Sequence, residues 1–453
     1  MVNFSLVNGP RIINSKSTRR LPCSYYIQMK RIPSKFIIMF SSKFNFFWLV
    51  RVLYLFWCAG CSNINISCAV TDKEALLKLK DGFVDGGGRL STWKSEADCC
   101  EWNGVVCSNL TGHVIKLDLV HYGDSEELRG NIDSSLCDLQ HLTYLYLDGN
   151  NFEGSKIPEC IGSLGQLREL TISGASIGGT IPRGLQNLSN LQTLDLSDNP
   201  FKSGPFPDFS RFSNLVTLSL KNTSLHGSIP QSFGHLAHLS KLYLSYNNLT
   251  GSLPTFAGLA SLEYLDLSNN RLNSVINETH LSTLSNLTVL GVSQNTIFFN
   301  FSSHWVPPFQ LQDFIAASCN FGGHFPSWLK YQRELHALEI SDASISDSIP
   351  QWLWLSSFNY LNLSHNKLYG ELPKSILKFY HYVLDLSFNN LSSPIPDLPT
   401  SAMALVLSNS MFLGTLSFIC ATAQGSVYQL DISCNFLSGK LPDCGDNFLT
   451  WPF

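Results

Sequence analysis

The stretch LEYLDLSNN at residues 262–270 combines leucines and asparagine in a spacing that decides the fold. Leu262 is followed after three positions by Leu265, after two more by Leu267, and after another three by Asn270. An amphipathic helix would repeat its apolar residues every three or four positions, whereas a half-buried strand would alternate them strictly. Neither pattern covers the whole stretch, so the explanation must include the asparagine.

The same pattern recurs along the chain with a nearly constant period. Further copies are LTYLYLDGN (142–150), LQTLDLSDN (191–199), LSKLYLSYN (239–247), LTVLGVSQN (287–295), FNYLNLSHN (358–366) and HYVLDLSFN (381–389). The asparagine position returns every 21–25 residues, at Asn150, Ala175, Asn199, Thr223, Asn247, Asn270, Asn295, Cys319, Ala343, Asn366, Asn389, Ser410 and Asn435. A degenerate copy, HVIKLDLVHY (113–122), brings the number of repeats to fourteen. Such a period indicates one solenoid rather than several globular domains.

The asparagine has a physical role in a stack of coils. The apolar side chains of each LxxLxL segment point into the coil, and the strands of successive coils align into a parallel sheet. Where the chain leaves this sheet its backbone groups lose their partners, and an inward-pointing amide can satisfy them. Asn fills the position in eight of thirteen copies. Thr223, Cys319 and Ser410 are weaker polar substitutes, and the coils of Ala175 and Ala343 are predicted to be locally weaker.

A second motif repeats in the other half of the coil, as GTIP (179–182), GSIP (227–230), GSLP (251–254), GELP (370–373) and GKLP (439–442). Glycine permits a turn, and proline fixes φ and stops a strand or helix. Together with the leucines, this motif resembles the plant-specific class of leucine-rich repeats. The resemblance implies an α/β solenoid, that is, a plant-type leucine-rich repeat superhelix with a concave parallel β-sheet, convex 3-10 or irregular segments and a disulfide-bonded N-terminal cap.

Four closely spaced cysteines precede the first repeat. ALLKLKDGF (75–83) and DCCEWNGVVC (98–107) resemble the N-terminal cap of the same repeat class. Cys99 and Cys100 are adjacent and cannot readily pair with each other, so bridges Cys68–Cys99 and Cys100–Cys107 are predicted in an oxidising compartment. A zinc site is the alternative, although no histidine lies between 68 and 107 and paired CxxC motifs are missing. Pairing stays open for Cys137, Cys160, Cys420, Cys434 and Cys444.

Two later stretches narrow the resemblance. FNFSSHWVPPFQLQDFIAASCNFGGHFPSWL (299–329) and ISDSIPQWLW (345–354) resemble plant receptor-like proteins of the group that includes the ethylene-inducing xylanase receptors. That likeness implies a signal peptide, a repeat ectodomain between two caps, one transmembrane helix and signalling through a co-receptor kinase. After LPDC (441–444), GDNFLTWPF supplies neither a paired-cysteine cap nor an apolar span of about 20 residues. We therefore expect a truncated product, a partial gene prediction or half of a split locus.

The beginning of the chain differs in composition from the rest. Residues 1–60 contain nine Lys/Arg and no Asp/Glu, which leaves 21 basic and 34 acidic residues, a balance of −13, for the remainder. This excess of acid argues against nucleic acid as a partner. FNFFWLVRVLYLFWCAG (44–60) follows Lys43 and has the order of a signal peptide, with Met29 or Met39 as alternative starts. An uncleaved N-terminal membrane anchor is the alternative.

Nothing in the sequence predicts an enzyme, a cofactor or a metal. No Gly-rich phosphate loop, HExxH or GxSxG motif occurs. Carboxylates do recur in phase with the repeat, at Asp195, Asp266, Asp385 and Asp431, and a carboxylate row could suggest glycosidase chemistry. Because they recur with the scaffold, a column of solvated strand residues is the favoured interpretation.

The sequence favours a binding function over a catalytic one. Residues between the leucines project from the concave sheet and form an extended docking surface, on which Tyr and Arg commonly act as recognition hot spots. Tyr243 and Tyr264 are predicted to be neighbours on adjacent coils. A polar surface without a ligand is the alternative. The candidate ligand contacts are Tyr144, Tyr146, Arg168, Glu169, Lys241, Tyr243, Tyr246, Glu263, Tyr264, His336 and Glu339, with Asp313, Tyr360 and His365 beside the last two.

Acceptor sequences for N-linked glycans are dense, as expected for an exported chain. They occur at Asn109, Asn187, Asn222, Asn248, Asn277, Asn286, Asn300, Asn362 and Asn390. Some follow from the NLS and NLT phrases of the repeat itself. A glycan on Asn362 would occupy a concave strand and mark that part of the face as unavailable.

The predicted organisation is a leader (1–67), a cap (68–111), about fourteen repeats (112–442) and a divergent tail (443–453). The resemblance implies the ligand-binding ectodomain of a plant receptor-like protein without a kinase, in immune or developmental signalling. Its partners would be a co-receptor kinase and a protein or peptide ligand, with a microbial source as one option. It would face the apoplast at the plasma membrane, reached through a missing C-terminal helix or an uncleaved leader. The alternative is a secreted inhibitor of microbial cell-wall-degrading enzymes, similar to the polygalacturonase-inhibiting proteins.

Overall fold

The computed structural model describes residues 67–440 and 442, apart from 124–125, 203, 206, 374–382, 397–402, 423–426 and 428. Twenty-four short strands follow one another along these residues. They are β1 (Phe83–Val84), β2 (Val105–Cys107), β3 (Val114–Asp118), β4 (Arg129–Gly130), β5 (Tyr144–Tyr146), β6 (Glu169–Thr171), β7 (Thr193–Asp195), β8 (Gly204–Pro205), β9 (Thr217–Ser219), β10 (Leu225–Gly227), β11 (Lys241–Tyr243), β12 (Asn248–Gly251), β13 (Tyr264–Asp266), β14 (Arg271–Ile276), β15 (Val289–Gly291), β16 (Thr296–Phe299), β17 (Asp313–Ile315), β18 (Ala337–Glu339), β19 (Tyr360–Asn362), β20 (Tyr369–Gly370), β21 (Val383–Asp385), β22 (Asn390–Leu391), β23 (Ala404–Val406) and β24 (Gln429–Asp431).

Helices are short and lie between the strands. The α-helices are α1 (Val70–Asp81), α2 (Glu278–Leu281) and α3 (Ile419–Thr422). The 3-10 helices span Cys99–Glu101, Ser134–Asp138, Glu159–Ser163, Arg183–Asn187, Gln231–His235, Ser327–Tyr331 and Gln351–Leu355. In the repeats, proline directly precedes several 3-10 helices, as Pro230 does with φ −66° and ψ 145°. Its fixed φ ends the preceding segment before the helix begins.

The main sheet has fifteen strands in the order β2-β3-β5-β6-β7-β9-β11-β13-β15-β17-β18-β19-β21-β23-β24. β2, from the cap, is antiparallel to β3, and the following pairs are parallel. Equivalent leucines align across the sheet, as Leu242 of β11 does with Leu265 of β13. Each repeat counted in the sequence therefore supplies one parallel strand.

The leucines of the opening stretch face inward. Leu262, Leu265 and Leu267 are at most 1% exposed, and Asn270 beside them is 9% exposed. Their equivalents in the other coils form one continuous apolar core with these residues. Each coil covers the leucines of its neighbours, which is how a stack of small repeats becomes stable.

A second parallel sheet forms where the chain leaves the main one. Its strands lie in the order β16-β14-β12-β10-β8. The glycines of the GxIP motif sit at the ends of these strands with positive φ, as in Gly227 (φ 89°) and Gly251 (φ 80°). A side chain would strain this left-handed conformation. A smaller pair, β20 and β22, continues the arrangement later in the chain.

The predicted asparagine ladder is confirmed. In Asn247, Nδ2 donates to the carbonyls of Leu220 (2.7 Å) and Leu244 (3.0 Å), which belong to successive coils. Its Oδ1 accepts from the backbone N–H groups of Thr223 (3.1 Å) and Leu225 (2.9 Å). One amide thus joins two coils while it satisfies four backbone groups. Similar bridges to the preceding coil are made by Asn199, Asn270, Asn295, Asn366, Asn389 and Asn435.

The coil of Ala175 lacks its own amide but keeps the hydrogen bonds that the neighbouring coils supply. The Ala175 carbonyl accepts a hydrogen bond from the N–H of Phe152 at 2.9 Å. Oδ1 of Asn199, from the following coil, accepts from the N–H groups of Ala175 (3.1 Å) and Ile177 (2.9 Å). Neighbouring coils therefore pair the backbone here, and the lower stability of this coil stays a prediction.

At the N-terminal end of the solenoid, a residue of the cap completes the asparagine ladder. Arg89 donates through Nη1 to Oδ1 of Asn150 (2.8 Å), and through Nη2 to the carbonyls of Leu119 (2.9 Å) and Val120 (2.8 Å). The degenerate first repeat has no asparagine of its own, so this guanidinium supplies the missing donors. Sequence reasoning did not identify Arg89, because it lies outside the repeat pattern.

Disulfides tie the cap and the first coils together. Cys68 is bonded to Cys99 and Cys100 to Cys107, with Cα–Cα distances of 5.5 and 5.4 Å. The four sulfur atoms lie within 4.8 Å of one another, so a zinc site built from them would first require both bridges to be reduced. A third bridge, which the sequence left open, links Cys137 to Cys160 on successive 3-10 helices.

Two sequence predictions fall outside this description. The leader, as far as residue 66, and the tail after residue 442 lie outside the described residues. Within the part of the chain that is described, no helix is both long and apolar enough to cross a bilayer.

Candidate functional site on the outer face of the main sheet

The outward-pointing residues of the main-sheet strands form a surface that we call the outer face. The strands have an alternating pattern in which the central leucine is buried and the flanking residues are partly exposed, as in β13. The flanking positions align from strand to strand, so that Lys241 lies beside Tyr264 and Tyr243 beside Asp266. The predicted ligand contacts therefore lie on one continuous surface, in three groups.

The middle group is built around two tyrosines. The rings of Tyr243 and Tyr264 are 4.5 Å apart between centroids and inclined by 36°, so the predicted contact between adjacent coils is confirmed. Burial raises the pKa of both phenols, and the carboxylate of Asp266 adds to the effect. Both hydroxyls therefore stay protonated at neutral pH and can donate hydrogen bonds. Exposed Lys241 and Glu263 flank the pair with opposite charges.

The first group is held by polar contacts. The hydroxyl of Tyr146 donates to Oε2 of Glu169 at 2.5 Å, and Tyr144 packs near the same ring with centroids 6.4 Å apart. Nζ of Lys116 lies 5.0 Å above the Tyr146 ring, which is within cation–π distance. Arg168 is exposed beside Glu169. Lys116 was missed in the sequence because it belongs to the degenerate first repeat, although its register with Tyr144 identifies it.

The third group contains two half-buried carboxylates, those of Asp313 and Glu339. Burial raises the pKa of Glu339 and of Asp313 above their ordinary values. Burial beside Glu339 also raises the pKa of Tyr360 to about 12. His336 is exposed next to this group. The structure thus places predicted residues of β17, β18 and β19 together.

Two predicted contacts lie in turns rather than on strands. Tyr246 is 54% exposed, has φ +58° and follows β11, with Nζ of Lys221 5.6 Å above its ring. His365 follows β19 in the same way and stacks on Phe388 with centroids 4.1 Å apart. Both residues lie in turns directly after strands of the outer face, and their role as ligand contacts stays a prediction.

The recurring aspartates have a local structural role that the sequence did not reveal. Oδ1 of Asp195 accepts from the N–H (2.9 Å) and from the Oγ–H (2.6 Å) of Ser197. Asp385 does the same with Ser387, at 2.9 and 2.6 Å. The carboxylates therefore stabilise the turn after each strand, which explains why they recur with the scaffold.

Predicted glycan acceptors are distributed unevenly. The side chains of Asn109, Asn187, Asn222, Asn248, Asn286, Asn300 and Asn390 are exposed. Asn277 is half-buried and caps α2 through its Oδ1. Asn362 is half-buried on β19, where its Oδ1 accepts from the N–H of Ser364 at 3.0 Å. Among the described strands of the outer face, those from β3 to β18 contain no acceptor sequence.

Family models account for most of the described chain. A model of the leucine-rich repeat region matches residues 125–353, a leucine rich repeat N-terminal domain matches 70–108, and a further leucine rich repeat matches 357–379. The chain belongs to the leucine-rich-repeat family. The predicted fold class, a plant-type repeat solenoid with a parallel sheet and a disulfide-bonded cap, is confirmed.

Plant receptors are among the proteins that this chain resembles. Receptor-like protein EIX2 of Solanum lycopersicum is 26% identical, over 84% of this chain and 60% of that protein. The crystal structure of PEPR1–AtPEP1 has a TM-score of 0.67 at 29% identity and covers 83% of this chain and 53% of that one. The plant peptide hormone receptor RGFR1 in complex with RGF2 has a TM-score of 0.52 at 26% identity, over 69% and 58% of the two chains.

The predicted similarity to plant leucine-rich-repeat receptor-like proteins is confirmed by these matches. The chain spans three fifths or less of the length of the curated relatives EIX2, EIX1 and Receptor-like protein 49.

Proposed function

We propose that the outer face binds an extended protein or peptide ligand, and that this leucine-rich-repeat chain is the ligand-binding ectodomain of a plant cell-surface receptor-like protein. A solved neighbour at 26% identity is a peptide hormone receptor in complex with its ligand, which supports a ligand of this class. A co-receptor kinase is proposed as the signalling partner, and immune or developmental signalling as the context. The chain would act by binding rather than by catalysis.

The contact between Tyr243 and Tyr264 is the observation that carries this proposal. It places two aromatic rings with free donor capacity on a strand surface, between the exposed charges of Lys241 and Glu263. Tyrosines of this kind give a large contact area and a polar group at a low entropic cost. Glycans on the predicted acceptors would leave this part of the outer face open, because no acceptor sequence lies in the described main-sheet strands from β3 to β18.

The test is a double substitution, Tyr243→Ala with Tyr264→Ala. Peptides of an extended random library would be selected on the native chain, and their affinity for both forms then measured. The loss of two central aromatic anchors should weaken binding by roughly 2 kcal/mol, or about thirtyfold. Gln231→Ala, an exposed change on a 3-10 helix, is the matched control and should leave affinity unchanged.

Stability must be measured in parallel. The sequence interpretation treats both tyrosines as exposed, but both are partly buried and in ring contact, so the double variant should also lose about 0.5–1.5 kcal/mol of folding free energy. Full affinity in a folded double variant would place recognition elsewhere on the chain.

A further inference from the structure

An aromatic cleft opens beside β16, away from the outer face. It has a volume of about 500 Å³, within the range of small-ligand pockets. We call it the aromatic cleft, and define it by the residues that the argument uses: Phe298, Asn300, Phe321, Phe325, Trp328 and Asp347.

The walls of the aromatic cleft are packed and preformed. Phe299 stacks on Phe321 with centroids 4.8 Å apart and planes 3° from parallel, and Phe301 meets Trp328 edge-on at 5.6 Å. Trp328 is 3% exposed, and its indole Nε1 has no hydrogen-bond acceptor among the described residues. That nitrogen is sealed from solvent, so the Trp328 ring forms a wall of the cleft and offers no donor to an occupant.

Asn300 connects this cleft to the chemistry of glycosylation. It is exposed, it lines the cleft, and it begins the acceptor sequence Asn300-Phe301-Ser302. Phe298 precedes it by two residues at the end of β16 and is 36% exposed. Residues two apart in an extended strand point to the same side, so the Phe298 ring and the Asn300 amide share one side of the chain.

Tyr360 precedes the acceptor Asn362 by two residues on the extended strand β19, but that pair is half-buried on the outer face and not beside the aromatic cleft. The remaining acceptors lack an exposed ring in this position on an extended strand. Tyr246 and Phe388 also precede acceptor asparagines by two residues, but each has a positive φ, 58° and 53°, and lies in a turn. At Asn248 and Asn390 the ring and the acceptor amide are therefore not placed on the same side of an extended strand. Leu185, two residues before Asn187, is buried and offers no exposed apolar surface.

We propose that Asn300 carries an N-linked glycan whose first N-acetylglucosamine unit packs on Phe298 and occupies the aromatic cleft. In the covalent step, the Asn300 amide nitrogen displaces the diphosphate of a lipid-linked oligosaccharide at the anomeric carbon. A C–N bond replaces the C–O bond, the amide loses one proton to a base, and the lipid diphosphate leaves.

The chemistry of the sugar matches that of the cleft. Its C–H surfaces can cover the exposed part of the Phe298 ring, which removes apolar area from water. At the rim, Nδ1 of His324 lies 3.7 Å from Oδ2 of Asp347, and both are polar partners for hydroxyl groups. Attachment to a lining residue also gives this occupant a high effective concentration compared with any free ligand.

The experiment uses the full chain secreted by eukaryotic cells, with its glycans trimmed enzymatically to the first sugar. Peptide mapping measures occupancy at Asn300, and thermal unfolding compares the native chain with Asn300→Gln, with Phe298→Val and with the double variant. We expect an occupied Asn300, and a loss of roughly 2 °C in Tm for each single variant. The double variant should lose no more than one of them, because each removes the same contact.

Asn187→Gln is the matched control, since that acceptor lies on a 3-10 helix without an exposed ring two residues earlier, and it should not shift the Tm. A bare Asn300, or losses that simply add in the double variant, would overturn the proposal. If Phe298→Val folds poorly, Phe298→Leu replaces it, and enzymatic removal of the Asn300 sugar from the folded native chain should then be slower than removal at Asn187. Equal rates at both sites would also overturn the proposal.

Discussion

Tyr243 and Asn247 are four residues apart, but Tyr243 belongs to the outer face and Asn247 to the interior of the coil. Asn247 points into the coil, and its amide bonds to backbone groups of two coils at 2.7–3.1 Å. Tyr243 points outward, and its described contact is with another side chain that does not recur, the ring of Tyr264. In this chain, repetition marks what the solenoid needs for folding. Departures from repetition on the outer face are free to serve recognition.

Asn247→Ala tests the interior region and should have the largest effect on the stability of the chain. The change leaves buried carbonyl and N–H groups of two coils without partners, so the free energy of unfolding should fall by roughly 1–3 kcal/mol. Thermal or denaturant unfolding measures the loss.

The control for this variant is Asn273→Ala, an exposed position on β14. Asn269 is not a suitable control, because it is half-buried with φ +55°, a conformation that asparagine tolerates better than alanine. Similar losses for Asn247→Ala and Asn273→Ala would contradict the ladder.

Glu339→Gln tests the outer face, where the expected effect is smaller and opposite in sign. Burial raises the pKa of Glu339, so the folded state favours its neutral form. Its contribution to stability is complete below the unfolded pKa and is lost as the pH rises through the raised folded pKa. Gln keeps the shape without the charge. The variant should therefore unfold at a higher temperature than the native chain near pH 7.5, with the gap closing at about pH 4.

Melting curves of both proteins across this range check the prediction. The Gln carbonyl can still accept the hydrogen bond that Ser341 donates to Oε1 of Glu339, and its side chain has the same size, so packing should change little. A variant that is less stable than the native chain near neutral pH would show that the carboxylate is stabilised on the outer face rather than strained by burial.

The fold was largely predictable, because a period of 21–25 residues states the same local structure many times. LEYLDLSNN already contains the buried leucines and the amide that joins two coils. The neighbour relation of Tyr243 and Tyr264 followed from the same register. In contrast, Arg89 could not be predicted, since its role at Asn150 depends on how the cap folds back on the first coil.

The candidate site was less predictable for the same physical reason. Period reasoning places a residue on a strand or in a turn only to within a position or two, which is why Tyr246 was assigned to the outer face. The repeat period also does not reveal which contacts a recurring polar residue makes. The aspartates Asp195 and Asp385 proved to bind the serine two residues later, a contact within the strand and its turn that a column of surface charges does not suggest.

The most direct test of the central claim is a glycan placed on the outer face. Thr217→Asn creates an acceptor sequence with Leu218 and Ser219 on β9, directly beside Lys241 of β11. Asp208→Asn creates one with Phe209 and Ser210 at an exposed position between β8 and β9, outside the main sheet. Both variants would be secreted by glycosylating cells, checked for occupancy and folding, and assayed for binding of the peptides selected on the native chain. If the outer face is the binding surface, the glycan of Thr217→Asn should abolish binding, and that of Asp208→Asn should leave it intact. Unchanged binding by fully glycosylated Thr217→Asn would contradict the account.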